Sequence, residues 1–186
     1  MDAFSLDIRT MAAMASLASI LQAVALGVLW RTAPRAKGPL QWAAGGALLA
    51  LGMMLIAFRN LIPDALSIIL ANTLIVGSHA AYLIGIQKYL GLRPSVKPCA
   101  ILLGATAGAF FAFTYMAPDI ANRIVAVSLA LVLLSGACAW QFFRHRGRSL
   151  AVVEWLLVCL FLCHALFHAF RGIYSGLADH GMSNFM

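Results

Sequence analysis

The chain has 186 residues, of which 63% are hydrophobic and 10% charged, and its mean hydropathy is +0.92. Soluble domains average about 45–50% apolar and about 25% charged residues, so this composition excludes a water-facing globular surface, and its hydrophobicity excludes disorder. The net charge of +7 lies mostly in short segments between apolar runs, where it sets membrane topology and argues against a nucleic-acid partner.

In chain order, the N-terminus carries Asp2, Asp7 and Arg9 before the first apolar run. A cleavable signal needs a positive leader and a shorter apolar core, so the first run is expected to stay as a helix. Spans are predicted at about 11–30, 39–58, 65–87, 98–118, 124–143 and 150–170. Each has the ~20 residues that cross a bilayer once. Strand alternation is absent, which argues against a barrel. The expected fold is all-α: a polytopic six-helix transmembrane bundle with short loops, forming one integral membrane domain over 1–186.

The connections alternate in charge. Arg31, Arg35 and Lys37 fill the first, Lys88, Arg93 and Lys97 the third, and Arg144, Arg146 and Arg148 the fifth. Arg9, Arg59, Arg123 and Arg171 stand singly at the other side, giving nine against four. The positive-inside rule then places both chain ends outside the cytoplasm. Trp30, Trp42 and Trp155 near the basic side, and Tyr115 near the other, fit aromatic belts rather than a ligand cage.

Two turns look alike: Asn60 to Asp64, with Pro63, and Tyr115 to Asp119, with Pro118 placed 55 residues later. Proline and aspartate together are ordinary helix-start chemistry, but the period also suggests repeated two-helix hairpins, with the first helix apart. On that scheme a return helix is expected near residue 180, and the unit looks one helix short.

Polar groups inside spans are functional candidates. Asn72 is expected to hydrogen-bond a neighbouring helix. His79 lies deeper on the same helix and is expected to be packed and hydrogen-bonded. Glu154 is expected to reach the inner interface or pair with a basic side chain. His164 and His168 are four apart and share a face. They suit metal or haem ligation, or else line a polar cavity or the outer interface. A metal site needs further ligands, no other helix offers an obvious one, and His79 is expected several ångströms nearer the cytoplasm than His164. Cys99, Cys138, Cys159 and Cys163 are expected as small buried residues without disulfides. Gly104 and Gly108, and the pair Gly45–Gly46, permit close helix approach. No phosphate loop, nucleophile motif, carboxylate pair or broken helix is evident, so neither an enzyme nor a cofactor is expected.

Residues 58–72, running Phe-Arg-Asn-Leu-Ile-Pro-Asp-Ala-Leu-Ser-Ile-Ile-Leu-Ala-Asn, and 85–94, running Gly-Ile-Gln-Lys-Tyr-Leu-Gly-Leu-Arg-Pro, resemble the N-terminal multi-pass membrane region of bacterial diguanylate cyclases with a GGDEF output domain. The first basic connection, Trp30 to Lys37, is compatible. The resemblance implies a sensory or signal-transmitting module of the bacterial inner membrane. The chain departs from that pattern in containing no GGDEF motif, which fits a module cut before its last helix or a stand-alone relative. The alternatives are a small non-catalytic subunit of a larger membrane complex and, less favoured by the scarcity of charge within spans, a transporter. The expected partners are the lipid bilayer and a protein partner or second copy joined by helix packing.

Overall fold

The structure, a computed structural model, describes residues 8–145 and 152–183. Asp2 and Asp7 lie outside the described residues, as do Arg146, Arg148 and the expected start of the last span at 150. The helices are α1 (Ile8–Thr32), α2 (Pro39–Ala57), α3 (Ala71–Tyr89), α4 (Val96–Phe111), α5 (Ile120–Arg144) and α6 (Val152–Ser183). Segments wound as π-helix precede α3 (Ala65–Leu70) and follow α4 (Ala112–Met116) without a break. Six helices are therefore long and apolar enough to cross a membrane, and the described residues contain no strand. Large apolar side chains face outward: Leu17, Leu21 and Val28 on α1, and Leu156, Phe167 and Phe170 on α6. That surface is insoluble in water and ordinary in lipid, as befits a multi-pass membrane protein.

Local chemistry explains the ends. Pro39 opens α2 behind Gly38, whose φ of 112° lies in the left-handed region that glycine alone adopts without strain. Asp119 caps α5 by accepting from the Asn122 backbone N–H at 2.9 Å. Asp64 is already helical and makes no cap bond, so the two Pro-Asp turns are not equivalent. At the other end, buried Gln87 accepts from the Ser95 backbone N–H and donates to the Ser95 hydroxyl, at 2.7 and 2.8 Å, and so fixes the α3–α4 turn.

The packing order differs from the expected hairpins. α1 does not stand apart: it lies along α2, and the buried Ser16 hydroxyl donates to the Ala50 carbonyl at 2.8 Å. α2 packs on α3, α3 on α5, and α5 on α6, while α4 fills the back of α3 and α5. The result is a spine, α3, with two wings, α2–α1 and α5–α6. No return helix begins near 180, because α6 runs unbroken for 32 residues to Ser183. Its glycines cost about 1 kcal/mol each, whereas a helix stop of about 3 kcal/mol needs proline, and no proline follows Pro118.

The glycines also sort differently. A Cβ on Gly45 would overlap the Tyr82 ring, and one on Gly85 the Trp42 indole, so both mark real close approaches of α2 to α3. Gly104 and Gly108 have nothing within 4 Å, so the GxxxG of α4 joins no helix among the described residues. Cys99 and Cys138 are buried, but Cys159 and Cys163 are exposed on α6. Gly85→Leu should destabilise the micelle-embedded protein by about 1–3 kcal/mol through overpacking, and Gly104→Leu should leave the unfolding transition in place. Equal shifts for the two variants would contradict this packing.

Candidate functional site

A cleft of about 760 Å³ opens between the wings over one face of α3. That face carries Asn72, Ile75, His79, Tyr82 and Ile86, spaced by three and four residues as one helical stripe. α6 contributes Leu157, Leu160, Phe161, His164, His168 and Arg171 at the same kind of spacing. Gln22 and Leu26 of α1 and Trp42, Leu49, Met53 and Ile56 of α2 form the opposite wall, with Val127 and Leu131 of α5 behind.

The start of the spine is held by its own polar side chains. A π turn disturbs the regular ladder of helix bonds and is often found at functional sites. Here Asn72 Nδ2 donates to the Ile68 carbonyl and Thr73 Oγ1 to the Ile69 carbonyl, each at 2.7 Å. Asn72 therefore does not bond a neighbouring helix as expected. It supports its own π turn while lining the cleft.

The histidines meet. His79 and His164 stack with ring centroids 4.9 Å apart at 22°, and His168 sits edge-on to His164 at 4.5 Å. The expected offset in depth between His79 and His164 does not keep them apart, for a geometric reason. Helical side chains lean toward the N-terminus of their own helix. α3 and α6 run in opposite directions, so the two imidazoles lean toward each other. α3 thus brings His79 to the α6 pair as a stacking partner.

Each imidazole is oriented from behind. His79 Nδ1 lies 3.0 Å from the Ile75 carbonyl and 3.1 Å from Ser78 Oγ. A carbonyl only accepts, so this nitrogen carries the proton and Nε2 keeps a lone pair. His164 Nδ1 lies 3.0 Å from Ser135 Oγ, and Arg171 Nε donates to Ser128 Oγ at 3.3 Å. Ser128 and Ser135 are seven apart on α5, and His164 and Arg171 are seven apart on α6. Two helical turns on each antiparallel helix bring the same pairs into register. Ser135 and Ser128 are essentially fully buried, so these contacts form in a dry seam.

His168 and Tyr82 differ. His168 is buried, yet its Nδ1 has no hydrogen-bond partner among the described residues, and the same holds for the Tyr82 hydroxyl. Buried polar atoms left unpaired cost about 1–3 kcal/mol each. Among the described residues no three of His, Cys, Asp and Glu are arranged to hold a metal ion, and parallel rings 4.9 Å apart leave no room for a macrocycle between them.

The remaining expected residues fall elsewhere. Glu154 lies at the far end of α6, where its Oε1 accepts from the Tyr89 hydroxyl at 3.2 Å, tying α3 to α6 rather than joining the histidines. Trp42 is not a belt residue: its indole Nε1 donates to the Tyr82 carbonyl at 3.3 Å and it lines the cleft. Trp30, Trp155 and Tyr115 are exposed at helix ends. Gln22, Tyr82, Ser135 and Arg171 belong to the site but were not singled out from sequence. The signal that marks two of them is the matched seven-residue spacing on α5 and α6. Compared with known proteins, the chain matches no family model, no curated protein and no solved structure.

Stacked rings make a measurable pair. A double-mutant cycle on His79→Leu and His164→Leu should give a coupling of about 0.5–1.5 kcal/mol in unfolding of the micelle-embedded protein. Additive losses would mean that the rings do not meet.

Proposed function

We propose that the chain is a sensory or signal-transducing module of the bacterial inner membrane, of the kind that forms the input region of diguanylate cyclases. The observation that supports this reading is the cleft between two wings that share only a spine. α1 packs on α2 and α6 on α5, and neither outer helix packs on the other. A ligand seated between them changes the wing angle without unpacking either wing, which is the shear-and-hinge repertoire of switching proteins. On this reading the chain is not an enzyme. The polar groups of the cleft bind, and the chemistry belongs to a partner.

A two-state module has two wing spacings. Spin labels at Val28 on α1 and Leu156 on α6, with Cys159 and Cys163 replaced by serine, should show two distance populations in nanodiscs. Their ratio should change between native lipid extract and a single synthetic phospholipid. One narrow distance common to both lipids would count against a sensor.

The charge alternation, nine against three once Arg171 is set apart inside α6, supports placing both ends of the chain outside the cytoplasm. Alkaline phosphatase fused after Ser183 should then be active, and the same enzyme inserted at Gly91 inactive. The opposite pattern would invert the orientation.

A non-catalytic subunit of a larger membrane complex is the second reading. It is favoured by the Gly104–Gly108 face of α4, which suits close approach of another helix and meets none among the described residues.

A further inference from the structure

Among the described residues, nineteen line the cleft; they include one arginine and three histidines, and none of them is Asp or Glu. A guanidinium inside a bilayer is costly and nearly always faces a partner or a polar cavity. Arg171 lies level with Ser128, eight residues into α5 from Ile120, or about 12 Å from that end of the bundle. It is thus well inside the helical zone. One of its five donors goes to Ser128, and the planar fork that remains matches a carboxylate in two parallel bonds. One turn away, the unpaired Nδ1 of buried His168 belongs to the same wall.

The rest of the wall is apolar. On α6 the lining runs from Arg171 down to Leu157, which at about 1.5 Å per residue is about 21 Å. One leaflet of a bilayer core is about 15 Å deep, so one acyl chain with its head fits that length. Taking roughly 30 Å³ for each methylene-sized group, the share of a water molecule in its liquid, a chain of about 18 carbons fills roughly 540 Å³. One such chain fits within the cleft of about 760 Å³. Length, volume and charge therefore select the same guest.

We propose that the cleft binds a single-chain carboxylate amphiphile of the fatty-acid type, with its carboxylate on Arg171 beside His168 and its chain along Phe161, Leu160 and Leu157. This rests on the reading of the cleft as an input site and names the chemistry it recognises. The matched wall explains why a cationic side chain stands in the spans without an acidic neighbour among the described residues of the cleft. The histidine stack of His79 and His164 forms a polar floor midway along the chain.

The test uses the full chain purified in dodecyl maltoside and oleate labelled with ¹³C at the carboxyl carbon, followed by NMR titration. Saturable binding at one oleate per chain is expected. Methyl oleate, which lacks the charge, should bind at least tenfold more weakly, as should oleate to Arg171→Gln, where a charge-assisted bond is lost. Arg171→Lys should recover part of the affinity. Leu160→Trp, on the exposed rim, should also weaken binding about tenfold by filling the cleft, and it serves if Arg171→Gln does not purify as a monodisperse species. Absence of saturation, equal binding of oleate and methyl oleate, or unchanged affinity in the cleft variants overturns the proposal. Displacement of oleate by equimolar phosphatidylglycerol overturns it in favour of a two-chain lipid. Oleate binding with an unmoved α1–α6 distance removes the sensor reading and keeps the ligand, and movement without oleate binding does the reverse.

Discussion

Lipid offers no hydrogen bonds, and that single deficit organises this molecule. Backbone groups are satisfied within helices. Hydroxyls near or inside the core return to carbonyls, either on their own helix, as with Ser19, Ser78 and Thr106, or on the next, as with Ser16. The same need recruits Asn72 and Thr73 to the π turn and aims His79 at the Ile75 carbonyl. Where the rule is met, the bundle is closed and dry. Among the described residues it is left unmet at three side chains: His168 and Tyr82 lie in the wall of the cleft, and Thr114 lies in the π turn after α4.

The spine-and-wings layout follows from where small residues sit. Gly45 admits the Tyr82 ring and Gly85 admits the Trp42 indole, drawing α2 against α3 along one side. On the other side α5 presents Val127, Ala130, Leu131, Leu134 and Cys138, all buried. α3 and α5 are consequently the most deeply covered helices, and the outer pair, α1 and α6, each pack along one helix, with α6 reaching α3 only through side chains such as His164 and Glu154. A bundle assembled this way must leave a gap between its outer helices, and the cleft is that gap.

Much of this was legible in the chain. A bilayer fixes span length, so six apolar runs became six helices with boundaries within a few residues. The exception is α6, for which the expected end at 170 gave way to Ser183, because charge at Arg171 looked like a boundary whereas only proline or a polar turn makes one. The candidate polar residues stand out one by one in the sequence, but the meeting of His79 with His164 and His168 does not. Depth along an axis was read without the lean of side chains toward helix N-termini, so His79 was separated from His164. Glycine spacing misled for a similar reason. GxxxG states that a close approach is permitted, and only the neighbouring helix decides whether it happens. The paired serines of α5 were readable in principle, since Ser128 and Ser135 share the spacing of Arg171 and His164.

The length of α6 carries one more implication. At about 1.5 Å per residue its 32 residues form a rod of about 48 Å, longer than a hydrocarbon core of about 30 Å even at the strongest common tilts. The rod touches α5 closely at Gly172, where an added Cβ would lie 3.1 Å from that of Ser128. That contact helps α5 and α6 turn as one wing, with about 30 Å of α6 on its Val152 side. A swing of about 5° there moves the Val152 end by about 2.6 Å. Mechanical advantage of this kind turns a change too small to repack a core into a displacement large enough for a neighbouring protein to feel.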